Sequence, residues 1–71
     1  MAGQTPPNRL SEHRRAAGLT QEQLARRSDL SVFTINRLEA GRDPNLSTAQ
    51  RVAQALAVGV ADVWPELEAA S

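Results

Sequence analysis

The stretch SVFTINRLEAG, residues 31–41, reads as one short helix with a serine in front and a glycine behind. Ser31 is a side-chain cap for the free N–H groups of the first turn, and Gly41 supplies the backbone freedom that ends a helix. At about 100° per residue, Ile35 and Leu38 fall on one side and define the buried face. Phe33 then lies about 160° from Ile35, and Arg37 lies about as far round in the other direction. An aromatic ring and a guanidinium are therefore neighbours on the outer face, with Asn36 and Ala40 beside them and Val32 on the shoulder. A phenylalanine on a water-facing helix side is either one of the scattered exposed apolar residues that need no purpose, a contact for a neighbouring subunit, or a contact for a binding partner, which makes this face the first candidate for function.

Working backward, LTQEQLARRSDL (19–30) starts with Thr20 and Gln23 at capping-box spacing. Leu24 and Ala25 are its inner residues. Asp29 stands where this helix must turn off, and aspartate is among the few side chains that tolerate a left-handed backbone. Two short capped helices, 20–28 and 31–40, joined by so tight a turn have the layout of a helix-turn-helix. In front of them, Asn8 caps a first helix that Gly18 ends, and Leu10, His13, Arg14 and Ala17 share one of its faces. The opening segment MAGQTPP has no apolar period and reads as an arm.

Working forward, the loop GRDPN holds Pro44 and breaks the chain. Asn45 is the favoured cap of a fourth helix, with Ser47 and Gln50 as a competing capping box. Leu46, Ala49, Val52, Ala53 and Leu56 form its apolar stripe. A fifth turn spans 60–64 and is halted near Pro65. No segment alternates with period two long enough to be a strand. The expectation is an all-α bundle of five short helices: an arm at 1–7, one domain at 8–65, and a tail at 66–71.

Seventy-one residues allow one small domain, and self-association would help so small a core. There is no cysteine, hence no disulfide and no thiolate metal site. His13 is the only histidine, and no spacing supports a metal set or a nucleophile–base pair. Neither an enzyme nor a cofactor is expected. No apolar run reaches membrane-spanning length and no signal segment opens the chain, so a cytoplasmic protein without membrane contact is expected.

The net charge is zero, but it is unevenly spread. Residues 9–42 carry seven arginines against four acids, whereas 43–71 carry Arg51 against four acids. With a Debye length of about 8 Å at physiological salt, the basic part can meet a polyanion independently of the acidic part. All eight cations are arginine, the side chain that forks onto phosphate and guanine.

Duplex DNA therefore suits the outer face of helix 31–40. A helix fits the major groove, arginine pairs with guanine O6 and N7, asparagine with adenine, and an apolar side chain meets a thymine methyl. Val32, Phe33, Asn36 and Arg37 are the expected base contacts. Gln21 in the first turn of the second helix, Ser31, Thr34, and Arg42 just beyond the third helix are the expected phosphate contacts. Arg15, Arg26 and Arg27 add a general positive field.

Glu39 points partly inward, as does Arg14 on the first helix. The two are expected to pair and clamp those helices, the alternative being two solvated charges. Val58, Val60, Val63, Trp64 and Leu67 either close the core or form a dimer seam or a partner contact.

The segments GLTQEQLA, S..TI.RLE.G and P.L.TAQRVAQALAV together resemble the Cro/cI-type, or xenobiotic-response-element-type, helix-turn-helix family, over about residues 9–64. The resemblance implies a lambda-repressor-like five-helix domain, with the second helix over the backbone and the third in the major groove. It places Gln21 at a phosphate clamp, Val32, Phe33 and Arg37 opposite bases, and Arg14 with Glu39 in a family ion pair. It also implies a two-fold dimer on a palindromic operator, with half-site centres about 34 Å apart. Three departures stand out: Asp29 where the family usually has glycine, Ala57 with Gly59 two residues later, and apolar Val32 and Phe33 where polar residues are common. The rival function is an antitoxin-like module that sequesters a toxin or another regulator.

Overall fold

The structure, a computed structural model, describes residues 7–69. Its elements are α1 (Leu10–Ala16), α2 (Gln21–Ser28), α3 (Val32–Glu39), α4 (Leu46–Leu56), α5 (Val60–Val63) and α6 (Pro65–Ala69). The described residues are otherwise turn and loop. Of the arm expected at 1–7, all but Pro7 lies outside the described residues.

Helices this short are unstable alone in water, and their packing holds them. α2 lies against both α3 and α4, α1 meets α3, and α5 bridges α4 and α6. Leu10, Leu19, Leu24, Ala25, Ile35, Leu38, Ala49, Val52, Leu56, Val63 and Trp64 form one buried cluster. The inner residues expected of α2, α3 and α4 are all in it except Ala53, buried beside it, and Leu46, which is exposed at the first turn of α4.

The starts of the helices follow the side-chain chemistry. Thr20 Oγ1 accepts from Gln23 N at 3.0 Å while Gln23 Oε1 accepts from Thr20 N at 2.8 Å, a reciprocal capping box. Ser31 Oγ accepts from Thr34 N at 3.0 Å. Asn45 wins the competition at α4: its Oδ1 accepts from Thr48 N at 2.8 Å, and Ser47 merely donates to the same oxygen. Asn8 Oδ1 accepts from Leu10 N, and its Nδ2 donates to the Leu38 carbonyl at 2.7 Å. That asparagine thus ties the front of α1 to the end of α3.

The helix ends share one device. At α2, Asp29 is left-handed (φ 59°), Asp29 N donates to Arg26 O, and Leu30 N donates to Ala25 O. At α4, Ala57 is left-handed (φ 59°), Ala57 N donates to Gln54 O, and Val58 N donates to Ala53 O. Both are Schellman stops made without glycine. Alanine has no side-chain hydrogen bond to offset the left-handed cost of about 1–2 kcal/mol. Ala57→Gly is therefore expected to stabilise the fold by about 0.5–1 kcal/mol after the greater freedom of glycine in the unfolded chain is subtracted. Thermal melts should show a rise of a few degrees. Asp29→Gly should gain less, because Asp29 tolerates the conformation and faces Arg51 at 3.7 Å.

At two places the structure adds to the expectation. Pro65 ends α5 but also opens α6, so the segment expected as a tail from 66 begins inside a sixth helix. Proline lacks only an N–H that a first turn leaves unbonded, and its φ already suits a helix. Val63 and Trp64 are core residues, Trp64 being 6% exposed, and so offer no seam on the surface. Val58, Val60 and Leu67 are half-buried against the same core.

Candidate nucleic-acid interface

Three residues, Asp29, Leu30 and Ser31, separate α2 from α3. Asp29 reverses the chain, Leu30 packs against the core, and Ser31 caps α3. Ile35 and Leu38 are drawn into the core, which fixes the rotation of α3 about its axis. The opposite side faces outward. Phe33 is 64% exposed and Val32 41%, and Asn36, Arg37 and Ala40 are exposed beside them. The Arg37 guanidinium carbon lies 5.2 Å from the Phe33 ring centre, a cation–π pair one turn apart.

The polar residues expected at phosphates fall into two groups. Arg42 is exposed just past α3, in a cleft with Phe33, Arg37, Asn45 and Thr48. Asp43 lines the same cleft and weakens its positive field. Ser31 is exposed, Thr34 is half-buried, and their hydroxyls share one hydrogen bond of 2.9 Å. Gln21, at the start of α2, is half-buried and reaches Glu39. Its Nε2 donates to Glu39 Oε1 at 2.9 Å, so the side chain takes part in an internal network. The physical reason is the half-buried carboxylate, a stronger acceptor than water can be at that depth.

That network is built on the expected ion pair. Arg14 Nε donates to Glu39 Oε2 at 2.6 Å and Arg14 Nη2 to Glu39 Oε1 at 3.4 Å, while Nη1 donates to the Leu19 carbonyl at 2.9 Å. The two side chains are 13% and 11% exposed. Glu39 thereby holds α1 through Arg14 and α2 through Gln21 from its place at the end of α3.

Sequence reasoning missed Asn45 and Thr48 as neighbours of the α3 face. Their capping pattern is local, but the return of the loop that brings α4 beside α3 is not. His13 is half-buried on α1, and among the described residues no cluster of histidine, aspartate or glutamate could hold a metal. No helix among them is long and apolar enough to cross a membrane.

A model of the helix-turn-helix family matches residues 10–63. The chain belongs to the Cro/cI-type helix-turn-helix family. It is also 50% identical over 48 residues to a protein of Methanothermobacter thermautotrophicus described as an uncharacterized HTH-type transcriptional regulator, a match covering 66% of this chain and 70% of that one.

Proposed function

We propose that this protein is a transcriptional regulator that reads duplex DNA with α3 in the major groove. The observation that carries the reading is the division of α3 into two faces: Ile35 and Leu38 are buried, while Phe33, Asn36 and Arg37 stand outward on a helix held by a three-residue turn. Val32, Phe33, Asn36 and Arg37 address base edges, Arg37 by forking onto guanine. Gln21, Ser31, Thr34 and Arg42 address flanking phosphates, Gln21 from the first turn of α2, where its side chain is also held by Glu39. The protein binds a palindromic site as a two-fold dimer. Cα extents of 32 × 31 × 20 Å leave room for two copies side by side on half-sites about 34 Å apart. The rival reading, sequestration of a protein partner, loses Val63 and Trp64 as contacts, because both are in the core, and keeps the half-buried Val58, Val60 and Leu67.

Selection of duplexes from a random pool, followed by fluorescence anisotropy, tests the reading. A palindromic motif should emerge, and log affinity should fall by about 0.9 per log unit of salt for each phosphate engaged. Arg37→Ala should weaken the selected site by about 10- to 100-fold and relax preference at one base pair per half-site. Failure to retain any duplex in dilute buffer overturns the proposal. Equal losses on all sequences for Arg37→Ala remove its role at guanine.

A further inference from the structure

We infer that the hollow between the start of α1, the loop after α3 and the start of α6 binds a small organic cation with an apolar body, and that the bound cation strengthens the hold of the protein on DNA. The second half rests on α3 being the DNA-reading helix; the first does not. The hollow has a volume of about 510 Å³, within the span of about 300–1,000 Å³ usual for small-molecule sites. Pro44, Trp64, Pro65 and Leu67 give it a largely apolar lining. Trp64 is 6% exposed, and its buried indole N–H has no acceptor among the described residues. An unmet buried donor favours a ligand that brings a carbonyl. The charge of the ligand follows from the rim. Asp43 and Glu66 stand there, both exposed, and neither has an ion pair among the described residues. Arg9 borders the hollow too, but its guanidinium is held by Glu12 at 3.0 Å. Two uncompensated carboxylates above an apolar lining complement an ammonium.

Asp43 and Pro44 also form a wall shared by two sites. On one side they line this hollow, and on the other they line the cleft that holds Phe33, Arg37 and Arg42. In that cleft the Asp43 carboxylate opposes an approaching phosphate. A cation seated against it from the far side offsets the repulsion. The ligand therefore raises affinity for duplex, and by linkage duplex raises affinity for the ligand by the same factor.

The test uses the full chain and two matched probes. N-(2-aminoethyl)benzamide joins a ring and a carbonyl to an ammonium, and N-propylbenzamide has a methyl in place of that ammonium. Binding is followed by the fluorescence of Trp64, the one tryptophan of the chain, without DNA. The amine should bind saturably, and about five-fold more tightly than the propyl compound, the worth of two exposed ion pairs. Asp43→Asn combined with Glu66→Gln alters only exposed side chains and should remove that preference. In fluorescence anisotropy, saturating amine should tighten wild-type binding to the selected duplex about five-fold, and the propyl compound should leave it unchanged. The site is overturned if neither probe binds, as when a second copy or another part of this chain fills the hollow. It is also overturned if both bind the wild type equally, or if the preference persists in the combined variant. An amine that binds without changing duplex affinity overturns the coupling. Recovery of no duplex removes the coupling together with the DNA reading, and the fluorescence result still decides the site.

Discussion

Glu39→Ala is expected to leave most of the molecules unfolded near physiological temperature. The carboxylate accepts from Arg14 twice and from Gln21 once, and the paired side chains are only 13% and 11% exposed. Removing it strands the Arg14 guanidinium with the Leu19 carbonyl as its remaining partner. Breaking a buried pair from one side costs about 3–5 kcal/mol, chiefly because the surviving charge is left desolvated. A domain this small rarely has more than about 3–5 kcal/mol in total. Circular-dichroism melts should show the midpoint fall by more than about 15 °C. Arg14→Met combined with Glu39→Leu should recover much of the loss, since the apolar pair leaves no charge buried. A melting temperature within about 2 °C of wild type for Glu39→Ala would show the network to be dispensable.

Trp64→Ala should be nearly as damaging, by a different route. The indole is 6% exposed and belongs to the cluster that includes Leu10, Leu24 and Val52. Truncating such a ring deletes its transfer free energy and leaves a cavity, together about 3–5 kcal/mol. Because the loss is internal to one chain, it should not depend on protein concentration. A seam residue would behave otherwise: its truncation would weaken the dimer, so the size of the loss would itself change with protein concentration. Chemical denaturation at two concentrations a hundred-fold apart checks this. An unchanged midpoint accompanied by loss of a dimer would return Trp64 to the surface.

Much of this protein is legible where an interaction is local. Thr20 and Gln23 announce α2, Ser31 announces α3, and Asn45 outcompetes Ser47 because the asparagine oxygen sits at the turn where the free N–H groups begin. The helical period alone separates Ile35 from Phe33, and the inward cast of Glu39 and Arg14 is enough to pair them. What stays hidden depends on how helices cross. Gln21 occupies a first turn in either reading, and only the approach of α2 to the end of α3 turns it toward Glu39. The link from Asn8 to the Leu38 carbonyl spans thirty positions and has no sequence signature. Pro65 is a stop from one side and a start from the other, and four residues of α5 are too few to show which way Val63 points.

The joint at Glu39 also bears on how the molecule meets its target. With α1 and α2 both fastened to the end of α3, the pose of the proposed groove helix is settled before any encounter. Rigid docking of this kind leaves the backbone little freedom to surrender, so the entropic toll of association falls on a few exposed rotamers. Phe33 and Arg37 already restrain each other, which lightens even that remainder.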